Sequence, residues 1–183
     1  MLKLVDQLEI AKKKVSVENS WFAIYVASRQ EKKVTDLLLS KGIEAYVPLV
    51  KTLRQWSDRK KMVEFPLLTG YVFVRSSMKD FDKILQTKGV VNFVRYCGKV
   101  AKVRDEEVSR IKQLIELGYS LEINPISKEF KTGDKIKITS GALKNFEGYI
   151  SQTLRGKFFE VVLDSIGQVI KVTLPEQILT NVS

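Results

Sequence analysis

Two short groups of carboxylates are the residues of this chain with the clearest potential for chemistry. Asp80 and Asp82 form one group, and Asp105, Glu106 and Glu107 form the other. Paired carboxylates can bind Mg²⁺ or act as acid and base, which would suit a metal-dependent nuclease. Each group stands where a helical pattern begins, and acidic residues at that position cap the helix and favour its positive dipole end. We therefore interpret both groups as structural.

Other catalytic residues are scarce. The chain has no histidine, which excludes His-containing triads and removes the commonest metal ligand. Cys97 is the single cysteine, so a disulfide within the chain and a CxxC zinc site are both excluded. The glycine motifs of nucleotide-binding and esterase sites are absent as well. The sequence predicts no catalytic residue, no metal site and no cofactor, and we do not expect an enzyme.

Basic residues are the strongest functional signal. The 183 residues include 31 Lys and Arg against 21 Asp and Glu, a net charge of +10, which favours nucleic acid or acidic protein surfaces as partners. Residues 1–120 carry 23 basic and 14 acidic residues, so most of the surplus lies there. The densest stretch, 51–61, places Trp56 among five basic residues. A stacking ring among cations is typical of nucleic-acid binding, although a solvated hairpin tip has a similar composition.

Hydrophobic periodicity predicts the elements that position these residues. It predicts strands over 21–27, 43–50, 62–67, 70–75 and 90–96, and helices over 30–41, 79–86 and 105–117. The fold class is therefore α+β, with an antiparallel β-α-β-β-α-β sheet flanked by helices. Later in the chain, short alternating runs separated by glycines predict a small five-stranded β-barrel of the SH3 type.

The predicted domain organisation follows from these patterns. Residues 1–19 are an extension that is helical or disordered, and 20–117 are the first domain. Residues 118–130 contain Gly, Ser, Asn and Pro without periodicity and predict a linker. Residues 131–183 are the barrel. No apolar run is long enough for a membrane span, so we expect a cytoplasmic protein without membrane contact.

The strand that contains Tyr71 and Phe73 has two interpretations. An RNA-recognition motif has the same order of elements and carries base-stacking aromatics on its third strand. Three of the eight positions of that motif differ here, at Thr69, Val72 and Ser76. Apolar strands usually bury their aromatics, so we favour a core or interface role for both rings. A standalone RNA-binding protein with an RRM-like domain remains the alternative.

Several segments resemble the NusG and RfaH family of transcription elongation factors. They are WFAIYV at 21–26, FPLLTGYVFV at 65–74 and GVVNFV at 89–94. A later segment is similar to the KOW motif of the second domain of these proteins, through Gly133, Asp134, Gly141, Phe146 and Gly148. The resemblance covers about residues 20–180. RQWSDRKK at 54–61 further resembles specialised paralogues of the UpxY type, which act on long polysaccharide operons.

The resemblance implies a factor whose first domain, the NGN domain, docks on the clamp helices of the largest RNA polymerase subunit and suppresses pausing or termination. The implied docking pocket comprises Trp21, Phe22, Pro66, Tyr71 and Phe73. The candidate contacts to non-template DNA or nascent RNA are Arg29, Lys32, Lys33, Arg54, Trp56, Arg59, Lys60 and Lys61. The KOW domain would recruit a small-subunit ribosomal protein or the Rho factor, and its alternating β-branched residues predict stable strands.

Overall fold

The computed structural model describes residues 19–55, 59–126, 135–138, 143–153 and 156–173. The described residues of the first half form three α-helices, which are α1 (Glu31–Ser40), α2 (Phe81–Leu85) and α3 (Asp105–Glu116). Its strands are β1 (Ser20–Val26), β2 (Glu44–Tyr46), β3 (Leu49–Gln55), β4 (Lys60–Pro66), β5 (Tyr71–Ser76), β6 (Val90–Phe93), β7 (Arg95–Tyr96), β8 (Lys99–Val100) and β9 (Lys102–Val103). Residues 1–18, nearly all of the expected N-terminal extension, lie outside the described ranges.

The first half is built on a five-stranded antiparallel sheet. Its main order is β2-β5-β1-β6, and β9 pairs with β1 as well. β1 lies between β5 and β6, and all of its apolar residues except Tyr25 are buried, on both faces of the sheet. The predicted antiparallel sheet with flanking helices is thereby confirmed.

Pro48 divides the predicted strand over 43–50 into two strands. β2 joins the main sheet, whereas β3 pairs with β4 in a separate two-stranded hairpin. Proline has no N–H to donate to a strand ladder, which explains why the pairing partner changes here. The hairpin is thus an insertion between the second and third strands of the sheet.

Helices α1 and α2 cover one face of the sheet. Val34 and Leu38 of α1 and Ile84 of α2 are fully buried there against Phe22 and Ile24 of β1. Spacing of three and four residues gives α1 one apolar side, and full burial of each such side chain contributes about 1.5–3 kcal/mol. Helix α3 lies against the other face with Val108, Ile111 and Leu114 buried, as the sequence predicts.

The second half is a five-stranded antiparallel sheet. Its strands, β10 (Ser120–Pro125), β11 (Lys135–Lys137), β12 (Glu147–Thr153), β13 (Gly156–Leu163) and β14 (Gln168–Thr173), are arranged in the order β10-β14-β13-β12-β11. Residues 120–125 of the expected linker 118–130 form strand β10, and residues 127–130 lie outside the described ranges. Leu121 and Ile123 alternate with polar residues, and both pack on the buried apolar cluster that the two halves share. The turn-forming residues of this segment obscure that alternation in the sequence.

The two halves share one buried apolar cluster. Phe73 and Ile111 belong to it from the first half, and Phe146, Phe159 and Ile170 from the second. A 3-10 turn at Asp164–Ile166, between β13 and β14, meets β7 and β9 of the first half. In the part of the chain that the structure describes, no helix is both long and apolar enough to cross a membrane.

Candidate functional site

An aromatic face lies on the side of the first sheet that α3 and the second half approach. We define it by Trp21 and Tyr25 of β1, Tyr46 of β2, and Tyr71 and Phe73 of β5. Alternate residues of a strand point to the same side, and the antiparallel register pairs residue 25 with 71 and residue 46 with 73. The structure therefore brings together three of the five expected docking residues, at positions 21, 71 and 73.

The other two expected docking residues lie elsewhere. Phe22 points to the opposite face, where its ring centroid is 5.0 Å from that of Phe81 and 6.2 Å from that of Phe93. Pro66 ends β4 opposite Leu49, at the base of the hairpin. Adjacent residues of a strand cannot share a face, so Trp21 and Phe22 are necessarily on opposite sides.

Tyr25 and Tyr46 belong to the aromatic face although the sequence analysis did not select them. Counting every second residue from Trp21 would have included Tyr25. Its hydroxyl oxygen lies 3.1 Å from that of Tyr71, and the two ring centroids are 4.8 Å apart in an edge-to-face arrangement. Burial, followed by the hydrogen bond with Tyr25, raises the pKa of Tyr71 above its ordinary value. Tyr25 is 39% exposed, which makes it the most accessible ring of the face.

Trp21 and Phe73 are covered in this structure. They are 5% and 0% exposed, respectively, and belong to the shared core. Lys112 of α3 lies over the face, with its Nζ 5.6 Å from the ring centroid of Trp21 and 4.9 Å from that of Tyr46. Burial and, second, the charge of Glu116 raise the pKa of Tyr46 to about 12. This end of the face is a packed junction between the sheet and α3.

A short segment of the second half, Asp164–Gln168, makes polar contacts with the first half, and we call this contact the seam. Asp164 Oδ2 lies 3.2 Å from Nη2 of Arg104. Gly167 packs so closely on Tyr96 that a Cβ there would lie 2.6 Å from ring atom Cε2. Gln168 lies at the edge of the aromatic face, where its side chain lowers the pKa of Tyr71 and so partly offsets the rise that burial causes.

Glu107 anchors the seam from the first turn of α3. It is 1% exposed and accepts hydrogen bonds from the backbone N–H of Arg104 at 3.0 Å and from the Ser165 hydroxyl. Burial alone would raise the pKa of Glu107, but the hydrogen bonds from Ser165 and Arg104 outweigh it and hold the pKa below its usual value. The carboxylate predicted to be structural therefore caps its helix and also joins the two halves.

The other acidic group also has a capping role. Asp80 accepts hydrogen bonds from the backbone N–H of Ser77 at 3.1 Å and from its hydroxyl at 2.8 Å. These two bonds lower the pKa of Asp80. Among the described residues, no three His, Cys, Asp or Glu side chains are grouped in a way that could hold a metal ion.

The β3–β4 hairpin carries a basic surface together with the start of α1. Lys60 and Lys61 are exposed, and backbone pairing sets Lys61 opposite Arg54 and Lys60 opposite Gln55. Lys32 Nζ lies 3.1 Å from Oε2 of Glu64, which links α1 to the hairpin. Further exposed cations of this surface are Arg29, Lys33, Lys51 and Arg59. Trp56 lies outside the described residues.

Two of the expected KOW residues are described. Phe146 is 3% exposed, and Gly148 is buried in β12 opposite Ile136. Both therefore support the core of the second sheet and offer little surface to a partner. Gly133, Asp134 and Gly141 fall in the ranges that the structure does not describe.

Comparisons with known proteins find sequence similarity to bacterial transcription termination/antitermination proteins. A family model described as transcription termination factor NusG matches residues 19–112. The transcription termination/antitermination protein NusG of Deinococcus radiodurans is 26% identical in an alignment 158 residues long, and the match covers 72% of this chain and 82% of that protein. The protein of the same name from Synechocystis is 28% identical over 169 residues, covering 78% and 80% of the two chains.

A solved structure has a similar fold. It is described as the domain interaction in Thermotoga maritima NusG and is 24% identical in sequence, with a TM-score of 0.50. The match covers 90% of this chain and 96% of that one, so both halves take part in it.

Proposed function

Since the chain belongs to the NusG family, as its sequence resemblance predicts, we propose that it is a transcription elongation and antitermination factor that binds RNA polymerase and nucleic acid through separate surfaces. The observation that carries this proposal is that the main sheet carries an aromatic face while the separate hairpin inserted between two of its strands carries exposed basic residues. An aromatic patch suits a protein partner, whereas exposed lysines suit phosphates.

We assign polymerase docking to the aromatic face, with the clamp helices of the largest subunit as the partner. Tyr25 and Tyr71 are the contact residues, because Tyr25 is exposed and its partner across β1 and β5 is half-buried. Trp21 and Phe73 are buried, so their role is to support the two strands. Phe22 supports β1 from the opposite face of the sheet, whereas Pro66 pairs with Leu49 at the base of the hairpin.

We assign nucleic-acid contact to the basic surface formed by the hairpin and α1. Exposed cations that point to solvent neutralise phosphates without reading sequence, which suits non-template DNA or nascent RNA. The second sheet is proposed to be the SH3-like KOW barrel that recruits a small-subunit ribosomal protein or Rho. The narrower proposal of a UpxY-type role in long polysaccharide operons rests on the sequence of 54–61.

One observation favours the alternative of a standalone RNA-binding protein. Tyr25 and Tyr71 lie side by side on the two central strands of the sheet, which is where an RNA-recognition motif carries its stacking rings. Removal of these rings would weaken polymerase binding if the protein is an elongation factor, and RNA binding if it is a standalone RNA-binding protein.

The test is transcription in vitro with the cognate polymerase on a template with a long leader and a terminator. We expect the protein to increase terminator read-through and Tyr71→Ala to abolish the increase. Leu39→Ala is the control, because Leu39 is an exposed apolar residue of α1 away from the aromatic face. Loss of RNA affinity in Tyr71→Ala with unchanged polymerase affinity would instead establish the RNA-binding alternative.

A further inference from the structure

Glu31 is a buried carboxylate that lies between the two proposed surfaces. It is the first residue of α1 and is 3% exposed. Its Oε1 accepts a hydrogen bond from the backbone N–H of Gly70 at 2.8 Å. A buried carboxylate is unfavourable unless it is hydrogen-bonded, and the positive end of a helix stabilises it further. The position of this carboxylate is therefore defined by α1 on one side and by Gly70 on the other.

Gly70 belongs to the turn that joins the basic hairpin to the aromatic face. The turn begins at Leu67, whose N–H donates to the Pro48 carbonyl at 2.7 Å, and ends where the Gly70 carbonyl accepts from Val26 at 2.9 Å. Gly70 has a φ of +79°, a conformation that favours glycine, and the next residue is Tyr71. A change in this turn would move the base of the hairpin relative to β5, where pairing with β1 holds Tyr71 in place.

The other link between α1 and the hairpin is weak by comparison. The Lys32 and Glu64 side chains that form it are 52% and 44% exposed, and ion pairs in solvent contribute little. The Glu31 bond is shielded from water and charge-assisted, which makes it the stronger of the two. It therefore fixes the turn that follows the hairpin against the start of α1.

We propose that Glu31 is a positioning residue that fixes the base of the hairpin against α1 and β5. The cations of α1 and the hairpin and the ring of Tyr71 then act as one rigid body, so nucleic acid and polymerase are bound in a fixed relative geometry. The functional part of this inference rests on the proposed function of the two surfaces. The positioning itself is a property of the fold that can be measured without any partner.

The first experiment measures amide hydrogen exchange at Gly70 in the full chain. We expect Glu31→Ala to accelerate exchange of this amide by roughly tenfold or more, because a hydrogen bond to a charged group is lost. Glu31→Gln keeps an acceptor at the same place but without the charge, so its exchange rate is expected to lie between those of the wild type and Glu31→Ala. Glu64→Ala removes only the exposed ion pair and is the matched control. An unchanged Gly70 rate in Glu31→Ala overturns the proposal.

A shorter carboxylate keeps the test informative if Glu31→Ala does not fold. Glu31→Asp retains the charge at the helix start but draws the carboxylate back by one methylene. We expect it to accelerate Gly70 exchange as the alanine variant does, and a wild-type rate would contradict the positioning role.

The second experiment measures terminator read-through and polymerase affinity for the same variants. We expect Glu31→Ala to lose most of the read-through activity while its affinity for polymerase without nucleic acid changes by less than about threefold, since Tyr71 itself is intact. Glu31→Gln is expected to restore read-through. Wild-type read-through in the alanine variant overturns the coupling. If the wild-type protein itself neither binds polymerase nor alters read-through, the proposed function fails, and Gly70 exchange still decides the positioning role.

Discussion

Tyr25 and Tyr71 face each other across β1 and β5, with hydroxyl oxygens 3.1 Å apart and ring centroids 4.8 Å apart. The pair joins an exposed ring to one that also contacts the second half through Gln168. Its hydroxyls are therefore placed to orient both rings on the edge of the aromatic face.

Removal of these rings is expected to weaken polymerase binding. Tyr25→Ala and Tyr71→Ala should each cost about 1–3 kcal/mol of binding free energy, because central aromatic contacts dominate such interfaces. Tyr25→Phe retains the ring and should cost less than about 1 kcal/mol. Calorimetry or biolayer interferometry with purified polymerase measures these differences. Equal affinities for all three variants and wild type would place the docking site elsewhere.

The buried carboxylate of Glu107 is expected to make stability depend on pH. Its pKa is lower in the folded protein than in the unfolded chain, where it is about 4.3, so its contribution is complete above that value. The contribution is lost as the pH falls through the lowered folded pKa. Glu107→Gln should destabilise the protein by about 1–3 kcal/mol at pH 7.

Urea unfolding from pH 7 to pH 3 measures this effect. The difference in unfolding free energy between wild type and Glu107→Gln should shrink towards the acidic end. Asp105→Asn is the control, because Asp105 is an exposed residue in the same turn of α3. A difference that stays constant over the whole pH range would show that ionisation of Glu107 does not stabilise the seam.

The hairpin lysines are expected to contribute to nucleic-acid affinity without sequence preference. Lys60→Ala combined with Lys61→Ala should lower the affinity for single-stranded DNA and reduce the slope of log affinity against log salt by about 1–2. Lys79→Ala changes an exposed lysine outside the hairpin and should have a smaller effect. Fluorescence anisotropy over a salt series gives both quantities. A slope unchanged by the double substitution would exclude the hairpin as the phosphate contact.

The second half should be more stable as an isolated fragment when β10 is included. A fragment that begins at Tyr119 retains the six backbone pairs between β10 and β14 and should give a β-type circular dichroism spectrum with cooperative unfolding. A fragment that begins at Lys131 lacks this edge strand, so we expect the same spectrum type with a lower melting temperature. A helical spectrum for either fragment would contradict the strand assignment of the second half.

The sequence predicts the main sheet well because its signals are local. Helix α3 is recognisable from the acidic start at Asp105 and the buried spacing of Val108, Ile111 and Leu114. The proline that divides the predicted strand at residue 48 is also a local signal. The pairing partners of β2 and β3 are not, because they are strands elsewhere in the chain. Because successive residues of a strand point to opposite faces, the sequence could also have predicted that only one of Trp21 and Phe22 belongs to the aromatic face.

Contacts between residues far apart in the chain were not predictable. Glu107 was recognised as a capping residue, but nothing near it indicates the bond to Ser165, which is 58 residues later. The same holds for Glu31 and Gly70, which are 39 residues apart. The edge strand β10 was missed because its role depends on β14, whose sequence is distant from it. Such contacts are determined by packing and not by local propensity.

The strand character of β10 also limits how far the two halves can separate. Residues 117–119 are the whole connection between the end of α3 and the start of β10, and three residues span about 10 Å when fully extended. If β10 peels away from β14, the tether lengthens to at least residues 117–126, or about 33 Å. A ligand that replaced β10 beside β14 would therefore more than triple the reach of the second half.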